Sequence, residues 1–314
     1  MIVDRKLSFR SVTINIRREN LIFFLISLLV TLVYRRLNFN GLTVGVAPLT
    51  ILGAAITIFL GFRTNTAYDR WWEARILWGA LVNQSRTIVR QAMTFCGSDE
   101  ALPPGSEPES GDDDLVITPF VRRIAHLQIA FANATRAHLR KQDPLKVVEP
   151  HLPDDVFGRL AGQQNVPSAL LQQMGLELRR ARRQKLLDTI QFTALDATLI
   201  ELTNILGGCE RIKNTPLPRQ YDTVPRFGIY AFSLMLPLGL VSTLGWWTPF
   251  VCAIITFLFI AIDSIGSNIE DPFENKIHDV PMTTLCRTIE INITQMIGEK
   301  ECPNPLEPTF GVLI

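Results

Sequence analysis

The chain has 314 residues, with 31 basic and 30 acidic side chains and a formal charge of +1, so bulk charge gives it no hold on nucleic acid or other polyanions. Hydrophobic residues make up 47% and charged ones 19%, and the charges are unevenly spread: residues 21–34, 41–62 and 227–262 contain no Asp, Glu, Lys or Arg. Those runs exclude an ordinary water-soluble enzyme and a disordered chain, and leave a membrane protein with a sizeable aqueous part.

The first run, Leu21 to Tyr34, would make about 21 Å of helix, short of the roughly 30 Å hydrocarbon core. Arg17 and Arg18 before it and Arg35 and Arg36 after it can snorkel to let it cross, and an interfacial helix is the alternative. The run follows twenty residues of mixed polarity with no small-residue cleavage site after it, so no cleavable signal peptide is expected. Gly41 to Phe62 would reach about 33 Å, long enough unaided. Its Gly41-Leu-Thr-Val-Gly45 and the small residues Gly53, Ala54 and Ala55 suit close helix–helix approach, while Pro48 lies near its start.

Phe227 to Ile262 would stretch to about 54 Å as one helix, too long for a bilayer, so it is expected to fold back as two spans. Gly245-Trp246-Trp247-Thr248-Pro249 is the natural turn, with tryptophans suited to the membrane interface. Four spans result. Arg5, Lys6, Arg10, Arg17 and Arg18, Arg63, Arg70 and Arg75, Lys213, Arg219 and Arg226, and Lys276 fall on one side, against Arg35 and Arg36 on the other. The bias predicts an inner-membrane protein with both termini in the cytoplasm.

The expected organisation is therefore an N-terminal arm with two membrane helices over 1–62 (about 21–36 and 41–62), a cytoplasmic helical domain over 63–226, two membrane helices over 227–262, and a cytoplasmic segment over 263–314. Within the middle segment, Arg70 to Ala92 and Leu186 to Ile205 have apolar residues every three or four positions and no proline, which predicts helices, with Gly207-Gly208 as a stop. Asp99 to Asp114 is acidic and proline-containing and reads as a solvated loop, since it lacks the ligand spacing of a calcium loop. The basic run Arg179 to Lys185 is either the wet face of a helix or a contact for anionic lipid or nucleic acid. Cys96, Cys209, Cys252, Cys286 and Cys302 are scattered, and His126, His138, His151 and His278 lack ligand spacing, so no disulfide, metal or cofactor is expected.

Directly after the second run stands Gly61-Phe62-Arg63-Thr64-Asn65-Thr66-Ala67-Tyr68-Asp69-Arg70-Trp71-Trp72-Glu73-Ala74-Arg75, whose aromatic and charged side chains suit an interfacial anchor with ion pairs. After the last run come Ile269-Glu270-Asp271-Pro272-Phe273 and His278-Asp279-Val280-Pro281. The two strings, in this order, resemble the signatures of the bestrophin family in its bacterial branch, over roughly residues 5 to 295. Asp271 stands where the family has Asn, and Glu274 where it has Gly.

The resemblance implies an all-α membrane protein: a pore-forming homopentamer, each subunit with four transmembrane helices and a cytoplasmic helical domain, in contact with membrane lipid and conducting monovalent ions. It carries Arg63, Asn65, Tyr68, Asp69, Arg70, Trp71, Trp72 and Glu73, and Asp271, Pro272, Phe273, Asp279 and Pro281, over as signature residues. Ala54, Ile58 and Phe62, four apart and so on one helix face, match the family's pore neck, and Ile212 is placed at a second, cytoplasmic constriction. The acidic cluster that binds calcium in eukaryotic members corresponds to Glu274-Asn275-Lys276-Ile277-His278-Asp279, which a lysine interrupts.

Phe62 can turn a positive ring edge to an anion, whereas Ile58 cannot. The family's commonest activity makes a monovalent anion such as chloride the expected permeant ion, with a sodium or potassium channel of the same fold as the alternative. A secondary transporter is disfavoured by the absence of internal repeats and of ionisable residues in the spans. An enzyme is disfavoured because GxSxG, P-loop and HExxH are all missing.

Overall fold

The computed structural model describes residues 9–37, 43–96 and 117–308, so the acidic stretch 99–114 and Gly41 lie outside the described residues. The described residues are helical and form two compact units. One gathers those within 4–72 and 216–271, the other those within 73–215 and 272–314. In chain order the helices are α1 (Phe9–Leu37), α2 (Val46–Phe95), α3 (Pro119–Leu139), α4 (Leu145–Val148), α5 (Asp154–Leu160), α6 (Val166–Arg183), α7 (Thr189–Asn214), α8 (Gln220–Leu244), α9 (Thr248–Ile269) and α10 (Met282–Met296).

The apolar unit packs α1 against α8 and α9, and α8 against α9. Aromatic edges fasten the contacts: Phe24 meets Phe250 at 5.7 Å between ring centroids, and Phe232 meets Phe259 at 5.3 Å. The N-terminal part of α2 lies along α8, where glycines admit it. A Cβ on Gly239 would fall 2.2 Å from Leu49 Cδ1, and one on Gly53 would fall 3.2 Å from the Phe232 ring. Pro48 sits in the first turn of α2, where its missing N–H has no helical partner to lose. The expected turn between α8 and α9 forms as a single 3₁₀ turn, Gly245–Trp247. Gly245 has φ +53°, a conformation that L side chains rarely adopt, so the turn calls for glycine there. Thr248 Oγ1 donates to Gly245 O at 2.7 Å to close the turn.

By length and composition, two helical stretches among the described residues can cross a membrane: Val46–Phe95, and Gln220–Ile269 with its break at Gly245. The second expected span and the helix expected from Arg70 are thus one element. Nothing between Phe62 and Arg70 breaks a helix, and α2 runs through the signature string without interruption.

The other unit is built round α3, which is buried along most of its length and packs against α6, α7 and α10. Thr118 Oγ1 caps it by accepting from Val121 N, with Pro119 in the first turn. Its buried Gln128 donates from Nε2 to Ser85 Oγ at 2.7 Å. A reciprocal capping box opens α7, with Gln191 N donating to Asp188 Oδ1 at 2.7 Å and Asp188 N donating to Gln191 Oε1 at 3.0 Å.

The predicted stop at Gly207-Gly208 is corrected, because α7 continues to Asn214. A Cβ on Gly208 would lie 3.0 Å from Leu77 Cδ1, so the glycine serves close packing against α2, a use that outweighs its cost of about 1 kcal/mol in a helix interior. The basic run ends α6 with Arg179, Arg182, Arg183 and Lys185 exposed, Arg180 paired to Glu177 at 2.6 Å, and Arg182 Cζ 5.3 Å from the Phe192 ring. It is the wet end of a helix.

Candidate functional site: an apolar helix face and a buried charge hub

Within the apolar unit, α2 buries Leu49, Ile56, Leu60, Arg63 and Ala67, a seam with three- and four-residue steps. The opposite face carries Ala54, Ile58, Asn65, Asp69 and Trp72, all exposed, with Phe62 flanking them. Ile58 is 60% exposed and Phe62 is 63% exposed, so the neck residues expected from the sequence make no core in their own subunit. The part of this face from Ala54 to Phe62 is apolar and uncharged, and needs lipid, another subunit or a narrow pore against it.

One residue beyond Phe62, the chain does the reverse. Arg63 is 2% exposed and is the centre of an ion cluster that ties α2 to α8 and α9. Its Nη1 donates to Asp263 Oδ1 and its Nη2 to Asp222 Oδ1, with a further 2.8 Å bond from Nη2 to Ser267 Oγ. Glu270 Oε2 lies 3.6 Å from Nη2, and Arg226 Nη2 reaches Asp263 Oδ2 at 3.3 Å. Asp263 is itself only 5% exposed, and two guanidinium groups face its carboxyl group. Arg70 completes the cluster by donating from Nε to Glu270 O at 3.1 Å.

Sequence reasoning missed Asp222, Arg226, Asp263 and Ser267. A signal existed: Arg63 is the first charge after the run ending at Phe62, and Asp263 is the first after the run ending at Ile262. Opposite charges at the ends of two uncharged runs on the same side invite pairing.

The remaining signature residues divide by role. Tyr68, Trp71 and Trp72 stack on one another with centroids 6.2 to 6.3 Å apart. Asn65 and Asp69 are exposed, as is Asp271. In the other unit, Glu73 pairs with Arg211. Pro272, Phe273 and Pro281 are buried there, and Val280 N donates to Pro272 O at 3.1 Å, which folds the second string on itself. Asp279 is 2% exposed; burial pushes its carboxyl up from the ordinary range, while Lys276 N donates to Oδ2 at 2.9 Å. Glu274 is engaged by Lys213, so the two carboxylates of the stretch matching the calcium cluster each have a partner.

Ile212 is corrected. It is 4% exposed and belongs to the hydrophobic core of its unit, so its side chain has no open face to offer an aqueous passage. The most exposed large apolar side chain of α7 is Ile190, at 80%, in the first turn.

Comparison with known proteins places the chain in a family. The profile of the family described as "Bacterial/Fungal Bestrophin protein" matches residues 6–295. The "Voltage-dependent anion channel-forming protein YneE" of Salmonella typhi is 37% identical over 283 residues, covering 90% of this chain and 87% of that protein. Its counterpart in Escherichia coli K12 is 36% identical over 298 residues, covering 95% and 92%. Among solved structures, a bacterial bestrophin homologue from Klebsiella pneumoniae superposes with a TM-score of 0.81 at 32% identity, over 91% of this chain and 100% of that one. With a match of this length and the signature strings in place, the chain belongs to the bacterial and fungal bestrophin family.

Proposed function

We propose that the chain is an anion channel of the inner membrane: a homopentamer with four spans per subunit, both termini in the cytoplasm, conducting monovalent anions such as chloride through an axial pore. The spans are those within α1, the first part of α2, α8 and α9. Five copies of α2 line the neck with rings of Ala54, Ile58 and Phe62, about 12 Å from first ring to last. The observation that carries this is the uncharged stretch of α2 through Ala54, Ile58 and Phe62, exposed in the subunit and set opposite its buried seam. Relatives named anion channel-forming proteins support the choice of ion.

The chemistry of such a neck is exclusion. A ring of isoleucines offers no hydrogen bond to replace an ion's hydration, so a narrow apolar stretch drains of water and closes, and small side-chain rotations that rewet it open it. Phe62, at the cytoplasmic end, turns its ring edge to an anion. Arg63 immediately behind it contributes position rather than charge, because its guanidinium is held in the hub and fixes the register of α2 on α8 and α9. The second constriction moves from Ile212 to the exposed Ile190.

Purified protein in liposomes loaded with chloride tests the reading. Efflux should follow a chloride gradient, and Ile58→Ala should change the unitary conductance. Intact protein that carries neither flux nor unitary current would refute the channel, and an unchanged conductance in Ile58→Ala would refute the neck.

A further inference from the structure

Between Val46 and Trp72, α2 holds three charged side chains: Arg63, Asp69 and Arg70. The two arginines are turned inward and tied, Arg63 into the hub and Arg70 to the Glu270 carbonyl. Asp69 is exposed and makes no ion pair among the described residues. It falls on the same helix face as Ala54 and Ile58, two turns beyond Phe62, with uncharged Asn65 between and Trp72 after it. The one free charge on the face assigned to the pore is therefore negative, about 10 Å below the last apolar ring.

We infer that Asp69 is a selectivity-determining residue that works against anions: five carboxylates ring the cytoplasmic mouth of the neck, draw cations in and thin out chloride. This rests on the pore reading above, in that the ring exists only if the Ile58 face of α2 turns to the axis. The physics is field focusing. Like charges round a narrow, low-dielectric mouth add, so the local cation concentration rises and the anion concentration falls by the same factor. Asp69 thereby sets a chloride preference lower than the neck alone would give, and makes the current depend on which side the anion enters from.

The test is the reversal potential of single channels in a planar bilayer under a salt gradient. Asp69→Asn should raise the chloride-to-sodium permeability ratio about threefold or more, Asp69→Lys should raise it further, and Asp69→Glu should hold the wild-type value. The wild-type protein supplies a measurement that needs no variant to fold. Raising symmetrical background salt from about 0.01 M to about 1 M shortens the Debye length from about 30 Å to about 3 Å and should move the ratio toward chloride. A conducting wild type whose ratio ignores both salt and Asp69→Asn overturns the role of Asp69 and leaves the channel standing. A wild type that conducts nothing overturns both. A conducting channel with Ile58→Ala altered but Asp69→Glu shifted as far as Asp69→Asn would mean that side-chain shape, not charge, acts there, and it too overturns the inference.

Discussion

Arg63→Met strips the hub of its central cation while keeping an unbranched side chain of similar length. Three carboxylates lose a partner, but unequally. Asp222 has 44% of its side chain exposed and falls back on water, and Glu270 at 19% does so in part, each for a loss of at most about 1 kcal/mol. Asp263 has 6% exposed and keeps only Arg226, 3.3 Å away, so it bears most of the cost. Breaking a buried pair costs about 3–5 kcal/mol, and with Arg226 retained the lower end applies, about 3 kcal/mol. Asp263→Leu, which leaves Arg63 facing Asp222 and Glu270, should cost about 2 kcal/mol. The double variant frees Arg226 and Asp222 to solvent and buries no unpaired charge, so it should cost no more than about 2 kcal/mol. The coupling across the cycle is then about 3 kcal/mol, at the upper end for residues in direct contact. Melting followed by tryptophan fluorescence in detergent reads this as a loss of about 6–12 °C for Arg63→Met, with the double variant less impaired than the single. Equal melting of wild type and Arg63→Met, or a double variant as poor as the two singles added, would refute the account of the hub.

Ile212 and Ile190 should separate by assay. Ile212→Ala removes a buried side chain and should cost about 2–5 kcal/mol with the single-channel conductance of surviving protein unchanged, whereas Ile190→Ser should leave melting intact and change conductance. Burial pushes the Cys209 and Cys286 thiols up to about 12 and Cys96 to about 11, and Cys252 is also buried, so at pH 8 a thiol reagent should label Cys302 alone in the native protein and all five cysteines after unfolding. His151 is held below the ordinary histidine value, first by burial, so the unfolded chain takes its proton more readily. Stability should fall as pH drops below about 6.5, and His151→Gln should flatten that slope in melting curves taken across about pH 7 to 5.

What could be read from the sequence depended on whether a pattern was local. Uncharged runs announced α8 and α9 and the first half of α2, because a bilayer demands them residue by residue, and the length of the last run called for a turn that Gly245-Trp246-Trp247-Thr248-Pro249 placed. The phase of α2 was half legible. Four-residue spacing put Ala54, Ile58 and Phe62 together, but only the buried seam through Ile56, Leu60, Arg63 and Ala67 fixes that this face is the bare one. Gly208 misled because its use is not local. A glycine pair stops a helix by propensity, and here a partner 3.0 Å away makes the missing Cβ an asset, a fact stored in Leu77 and not in the neighbouring residues.

The hub was the least legible feature and the most consequential. Arg63, Asp222 and Asp263 are separated by up to 200 residues, and each taken singly looks like an interfacial charge. Only their convergence turns Arg63 from a pore charge into a strut. In the proposed pentamer, an Arg63 facing outward from α2 would put five positive charges at the cytoplasmic mouth of the neck and favour anions there. Because it faces inward, the seam direction of α2 leaves Asp69 as the exposed charge on the opposite face, and on the proposed reading that charge works against anions instead.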